Sequence, residues 1–408
     1  MKILLINHYA GSIKHGMEYR PFYMAREWVR LGHEVTIIAA SNSHVRTCNP
    51  QIKGNMTHEV IEGVHYIWLK TPAYSGNGVG RVKNMLSFTN QLLLRRIELA
   101  RTIKPDVVIA SSTYPLDNYP ASKIARLASA KLIYEVHDLW PLSPMEIGGM
   151  SKWHPFIMLM QWAENYAYKH CDRVVSMLPL AESHMLKHGL AEGKFCYVPN
   201  GIDTSEWLES KQTIPQEQKD ILDALQGEGR FLVCYAGAHG PANALERLME
   251  AAALTEGSNA VFILVGQGPD KEKLIKTASN MRLNNVRFLP AVPKASIPSL
   301  LSKMDVLYIG LAHKSLFRFG ISPNKLMDYM MAAKPVVQSI DAGNDMVSES
   351  GCGISISTGS QKDIADAVLT LMKMNPEERS RMGARGHEYV LKSHDYSILA
   401  KRFLEAFV

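Results

Sequence analysis

Two tandem series of alternating strand, glycine-bearing loop and helix constrain this chain more than any other feature. Residues 2–7 form a near-continuous apolar run, the pattern of a parallel strand covered on both faces. Phe22, Ala25 and Val29 recur at helical spacing, so a helix is expected over about 20–31, ended by Gly32. Further strands are expected at 34–39, 64–69, 106–110, 131–136, 172–177 and 195–198, with a long helix at 81–101. The turn at 199–203 and a polar, helix-forming stretch at 204–229 close this series. A second series opens with a strand at 231–235 and continues through strands at 261–265, 286–289, 306–309 and 335–337. Such alternation implies a parallel sheet with helices on both faces. Two series imply an α/β chain of two Rossmann-like, doubly wound domains. Ligands are then expected at the strand C-terminal ends, in a central cleft between the domains. The expected divisions are 1–200, 201–390 and 391–408, the last a helix returning to the first domain.

The 408 residues, 46% hydrophobic and 21% charged, suffice for two cores. No run of about 18 uncharged apolar residues is present, so no membrane span is expected. The first residues read as a strand rather than a signal peptide. Cys48, Cys171, Cys196, Cys234 and Cys352 are scattered, with no C-x-x-C pair. That argues against a disulfide framework or a cysteine zinc site, and for a reducing, cytoplasmic compartment. The net charge of +6 suits an anionic ligand or a membrane surface but falls short of a nucleic-acid-binding stripe.

The most informative segment runs from Gly320 through Ile321, Ser322, Pro323, Asn324, Lys325 and Asp328 to Val337. It reads as a loop, a helix starting near Pro323, and a buried strand. Free N–H groups at a helix start hold a pyrophosphate well. Asp328, one turn further on, is placed to accept hydrogen bonds from two ribose hydroxyls; the plain alternative is a solvated carboxylate beside Lys325. A second loop, Gly237-Ala238-His239-Gly240, joins a strand to a helix, and Gly266-Gln267-Gly268 follows the next strand. His137-Asp138 lies just past the strand at 131–136. The imidazole is suited to a sugar or phosphate, with Asp138 to orient it; the plain alternative is a structural pair. No G-x-S-x-G elbow is present, which excludes the usual serine hydrolase arrangement. The first loop carries Gly11, His15, Gly16 and Arg20, and its spacing fails the dinucleotide G-x-G-x-x-G rule. The 81–101 helix mixes five basic residues with an apolar face, which suits either a core-packed helix or peripheral contact with an anionic membrane.

These motifs, in this order over nearly the whole chain, resemble the retaining GT-B glycosyltransferase family 4, in the variant found in bacterial O-antigen and capsule assembly. The resemblance implies that Asp328 binds the ribose and that His137 faces the donor sugar. Asp138 is grouped with His137 as catalytic. It puts Gly320, Ile321, Ser322, Asn324, Lys325, Gly237, His239, Gly266 and Val292 around the donor, with His15, Gly16 and Arg20 in a nearby first loop. Val292 belongs to a stretch, 288–293, that resembles the one whose backbone reads the base. The sequence also departs from the pattern. Gly320 stands where the family has a glutamate touching the donor sugar, and Ala333 replaces a glycine. Ala238 and Asn243 stand where an arginine and a lysine neutralise the diphosphate. Lys325, His239 or Arg20 is then needed to supply that charge, Lys325 first. The implied activity is transfer of a sugar, with N-acetylated sugars among the candidates by subgroup resemblance, from a UDP-sugar to a glycan or polyprenyl-diphosphate-linked acceptor. No cofactor, metal or nucleic acid is implied. A UDP-sugar 2-epimerase and a non-catalytic family member stand as alternatives.

Overall fold

The computed structural model describes residues 1–76, 78–210 and 212–407. The chain divides into two compact units. The first comprises Met1–Asn200, Phe319–Ser322 and Tyr396–Val408; the second comprises Gly201–Arg318 and Pro323–Asp395.

The first unit is built on an eight-stranded sheet. Its strands are β1 (Lys2–Ile6), β2 (Glu34–Ala40), β3 (Met56–Ile61), β4 (Val64–Leu69), β5 (Val107–Ala110), β6 (Lys131–Val136), β7 (Arg173–Ser176) and β8 (Phe195–Tyr197). Their order is β3-β4-β2-β1-β5-β6-β7-β8, and only β3 runs antiparallel to its neighbour. Ile3, Leu4, Leu5 and Ile6 are fully buried, as a central parallel strand with helices on both faces requires. The strand order reverses between β1 and β5, so their C-terminal ends form a switch point where loops diverge and leave a crevice. β3 escapes a sequence reading because it is an edge strand of mixed polarity with only Ile61 buried.

The single helix expected at 81–101 is two helices, Val79–Leu94 and Arg96–Ile103. The Arg96 guanidinium donates to the Leu93 carbonyl at 2.7 Å, helping to satisfy the end of the first helix. Arg81 does not lie on a solvated basic face. It donates to the Tyr9 hydroxyl at 3.0 Å and sits over the Tyr9 and Trp140 rings.

The helix Tyr396–Glu405 belongs to the first unit. It packs on the helix Arg20–Arg30. Trp28 Nε1 donates to the Ala400 carbonyl at 3.1 Å, Phe403 meets the Trp28 ring edge-on, and Tyr396 stacks on Tyr23. Trp28, Leu399 and Phe403 are fully buried there.

The second unit has six strands, β9 (Phe231–Ala236), β10 (Ala260–Val265), β11 (Val286–Leu289), β12 (Val306–Gly310), β13 (Val336–Ser339) and β14 (Gly353–Ile356). All pair in parallel, in the order β11-β10-β9-β12-β13-β14. The switch point lies between β9 and β12. The helices Gln361–Lys373 and Pro376–Ser393 start at Ser360 and Asn375, whose side chains accept from Asp363 N and Glu377 N.

Candidate functional site

In the second unit, the loops after β9 and β10 are pressed together. A Cβ at Gly266 would lie 1.9 Å from the Gly237 carbonyl oxygen, and one at Gly268 would lie 2.3 Å from that of His239. These glycines serve loop-to-loop packing first. His239 N donates to the Gln267 carbonyl at 2.8 Å, which fixes the same junction. The His239 ring is fully buried, and neither nitrogen has a hydrogen-bond partner. Burial, with help from Lys271 and Lys325, holds its pKa at about 4. It is therefore neutral near pH 7 and supplies no counter-charge, which corrects one of the three sequence candidates.

The helix Asn324–Met331 brings Lys325 to this junction. Pro323 is its N-cap rather than its first residue, and no side chain caps the N-terminus. The Lys325 ammonium donates to the Tyr235 hydroxyl and to Asn243 Oδ1, both at 2.8 Å, and lies 4.4 Å from the Tyr235 ring centre. A Cβ at Gly237 would come within 3.2 Å of the same Nζ, so glycine there makes room for the lysine. Among the described residues, no carboxylate pairs with Lys325. Burial lowers its pKa to about 8. A cation held among neutral groups at a loop junction has its desolvation only partly offset, and an anion would complete it.

Asp328 follows one turn later. Its carboxylate accepts no hydrogen bond among the described residues, and it keeps some accessible surface while protein crowds around it. Burial raises its pKa to about 7, partly offset by the charge of Lys294. Val292, two residues before Lys294, is half-buried. Asn324 is exposed at the helix start. Gly320, Ile321 and Ser322 go with the first unit instead. There Ser322 Oγ accepts from Asn200 N at 2.8 Å, and the Ser322 carbonyl accepts from Asn200 Nδ2 at 3.3 Å. Gly320 has φ of 101°. A glutamate is strained in that conformation, so the departure at this position is built into the backbone.

In the first unit, the C-terminal end of β6 carries a buried polar chain. The Arg20 Nε donates to Glu135 Oε1 at 2.9 Å, while its other nitrogens donate to the Pro199 and Val198 carbonyls at 2.6 and 3.0 Å. Arg20 is the first residue of a helix, almost wholly buried and fully engaged. It is therefore not a loop residue available to a phosphate. Burial alone would raise the Glu135 carboxyl, but Arg20, His137 and Ser111 outweigh it and hold the pKa at about 2. His137 Nε2 lies 3.2 Å from Glu135 Oε2 and 3.0 Å from Ser111 Oγ. Ser111 spends its own hydroxyl hydrogen on Glu135 at 2.6 Å. Facing an acceptor-only carboxylate, Nε2 must carry hydrogen, which leaves Nδ1 as the nitrogen for a substrate.

Asp138 does not orient His137. Its carboxylate accepts from Leu139 N at 2.8 Å and Ser143 Oγ at 2.5 Å, while Glu135 takes the orienting place. Sequence reading missed that role because Glu135 sits within a strand. His15 lies elsewhere: its ring bonds Ser12 Oγ at 2.9 Å, faces Glu59 at 3.6 Å and meets the Trp68 ring. Gly16 turns the loop with φ of 87°, against Thr47. The first loop and Arg20 thus belong to different neighbourhoods.

Two family models match the chain. Residues 15–201 match a model described as "Glycosyl transferase 4-like domain", and residues 217–389 match "Glycosyl transferases group 1". Two doubly wound units carrying these two domains define the GT-B glycosyltransferases. Within that class, the chain belongs to the family 4 type. A protein of Escherichia coli (strain K12), named as the colanic acid biosynthesis glycosyl transferase WcaI, is 22% identical over 78% of this chain and 79% of its own length. The Pseudomonas aeruginosa glycosyltransferase WbjE is 22% identical over 64% of this chain and 65% of its own length, just under two thirds. The crystal structure of Anabaena HepE in complex with UDP has the same fold, with a TM-score of 0.69 at 16% identity, covering 99% of each chain. Among the described residues, no helix is long and apolar enough to cross a membrane.

Proposed function

We propose that the protein transfers a sugar, with retention of configuration, from a UDP-sugar to a glycan or polyprenyl-diphosphate-linked acceptor. The setting would be bacterial surface polysaccharide synthesis at the cytoplasmic face of the membrane. The observation that carries this reading is the Lys325 ammonium, seated beside Ala238 and on Asn243, the two positions where the resemblance calls for basic residues. Lys325, rather than a metal ion, supplies counter-charge as the diphosphate leaves. A fixed cation in a desolvated site stabilises charge that develops in the transition state. Asp328 accepts the ribose hydroxyls, and His137 presents Nδ1 to a sugar hydroxyl. The uncharged residues at Ala238 and Asn243 therefore do not favour a non-catalytic member. The HepE complex with UDP supports the nucleotide, and the names of WcaI and WbjE support the class of product.

Thermal shift with UDP, GDP, ADP and CMP tests the donor class. UDP at a hundred times its Kd should add about 2.7 kcal/mol of stability. Asp328→Ala and Lys325→Met should each weaken UDP about 10–100-fold, the value of a hydrogen bond to a charged group. Stabilisation by another nucleotide alone would replace the donor, and unchanged UDP affinity in Asp328→Ala would remove the ribose role. Incorporation of label from UDP-sugars into a lipid-extractable product of bacterial membranes tests the acceptor.

A further inference from the structure

The first unit contains a polar cluster that the sugar-transfer reading does not use. Glu164 lies on the helix Pro155–His170. His184 and His188, four residues apart, lie on and just past the helix Glu182–Lys187. The Glu164 side chain is 1% exposed. His184 Nε2 is 2.9 Å from Glu164 Oε1, and His188 Nδ1 is 3.9 Å from Glu164 Oε2. One ligand atom from each of the three residues lies within 4.8 Å of the others. Two ligands on one tetrahedral zinc ion are about 3.3–3.5 Å apart, which these separations bracket.

The hydrogen bonds around the cluster do not balance. Gln161 Nε2 has two hydrogens but faces three acceptors: Glu164 Oε2 and Asn165 Oδ1 at 2.8 Å, and His188 Nδ1 at 2.9 Å. His188 Nδ1 also lies 3.0 Å from Asn165 Oδ1. If Nδ1 bears hydrogen, that hydrogen opposes the Gln161 amide hydrogens. If it does not, two lone pairs oppose at Asn165. Either tautomer leaves one contact of the wrong sign. A divalent cation removes the conflict. It takes lone pairs from both imidazoles and the carboxylate; turning the Gln161 amide offers an oxygen as fourth ligand, and turning Asn165 with it lets Asn165 Nδ2 donate to that oxygen.

We propose that Glu164, His184 and His188 bind one zinc-class divalent ion, in a site independent of the sugar-transfer reading. Two imidazoles and a carboxylate suit zinc, cobalt(II) or nickel(II) and not magnesium. The site is structural. It clamps the helix Glu182–Lys187 to the helix Pro155–His170, and the His184 ring meets Phe319 edge-on, 5.7 Å between centres. The Phe319 carbonyl in turn accepts from Leu180 N at 3.0 Å. The ion therefore supports the segment Phe319–Ser322, which precedes the helix carrying Lys325 and Asp328 in the chain.

The test is a zinc titration of the chelator-treated full chain, followed by melting temperature. A rise of about 5–10 °C, saturating at one equivalent, is expected at a hundredfold excess over Kd, with none from magnesium. His184→Gln and His188→Gln should melt within a few degrees of wild type without metal and lose the zinc response. Cobalt(II) bound to wild type should show the visible absorption of a four-coordinate nitrogen and oxygen site, which decides the matter if a variant fails to fold. A wild type with no saturating response, an equal response in both histidine variants, or no cobalt band each overturns the proposal and leaves a hydrogen-bonded network only.

Discussion

Lys325 and Asp328 stand three residues apart on one helix and titrate on either side of pH 7.5. Asp328 has a pKa of about 7 and Lys325 of about 8, both displaced by burial. Only the carboxylate accepts both ribose hydroxyls, and only the ammonium offsets a diphosphate. UDP affinity should therefore rise with pH through about 7 and fall again above about 8. Binding curves from about pH 6.5 to about 9.5 check this. Lys325→Met should lose the falling limb alone and Asp328→Asn the rising limb alone, which separates both from titration of the UDP phosphate near pH 6. A profile flat in wild type would sink the assignment. Ala333 makes a different residue-scale case. It has φ of 53°, a left-handed conformation that costs a residue with a Cβ about 1 kcal/mol or more. Ala333→Gly restores the residue the sequence pattern leads one to expect and should raise stability by about 0.5–1 kcal/mol, net of the entropy glycine adds to the unfolded chain. Chemical denaturation, read as a midpoint shift at constant slope, measures it.

At the scale of elements, strands buried on both faces were legible because an unbroken apolar run has few other uses. β1, β6 and β10 lie within a residue or so of where that pattern puts them. β3 and β14 are edge strands of mixed polarity and carry no such signal. The break near Arg95 is a local backbone turn, with the Arg96 guanidinium on the Leu93 carbonyl, which no periodicity records. The same limit applied to the candidate site. Lys325 stood out beside a helix start, but its contact with Asn243 joins residues 82 apart in the chain. Glu135 read as a strand residue until His137 and Arg20 met it. His184 and His188 carry a helical four-residue spacing, yet Glu164 is supplied by another helix. Packing between elements also sets an energetic prediction. Phe403 is fully buried against Trp28, and Phe403→Ala should cost about 3–5 kcal/mol. Calorimetry should show the transition of the first unit move to lower temperature if the two units melt separately. A change under about 1 kcal/mol would mean that the final helix contributes little to the first unit.

For the whole molecule, each unit is a doubly wound sheet with its candidate residues at the C-terminal ends of strands near a switch point. Two copies of one architectural rule thus leave each unit its own chemistry: a cation and a carboxylate in the second, a tethered imidazole in the first. The chain order is less regular than the architecture. The first unit is assembled from the opening 200 residues, a four-residue segment at Phe319–Ser322 and the stretch from Tyr396 onward. A ribosome makes these pieces in sequence, with most of the second unit between them. Until the helix Tyr396–Glu405 emerges, Trp28 and Tyr23 lack the cover that Phe403 and Tyr396 give them, however well the opening sheet has formed. A sheet begun at β1 is closed only once Tyr396–Glu405 has been made. A nascent chain stalled anywhere before Tyr396 carries an apolar face for chaperones to find.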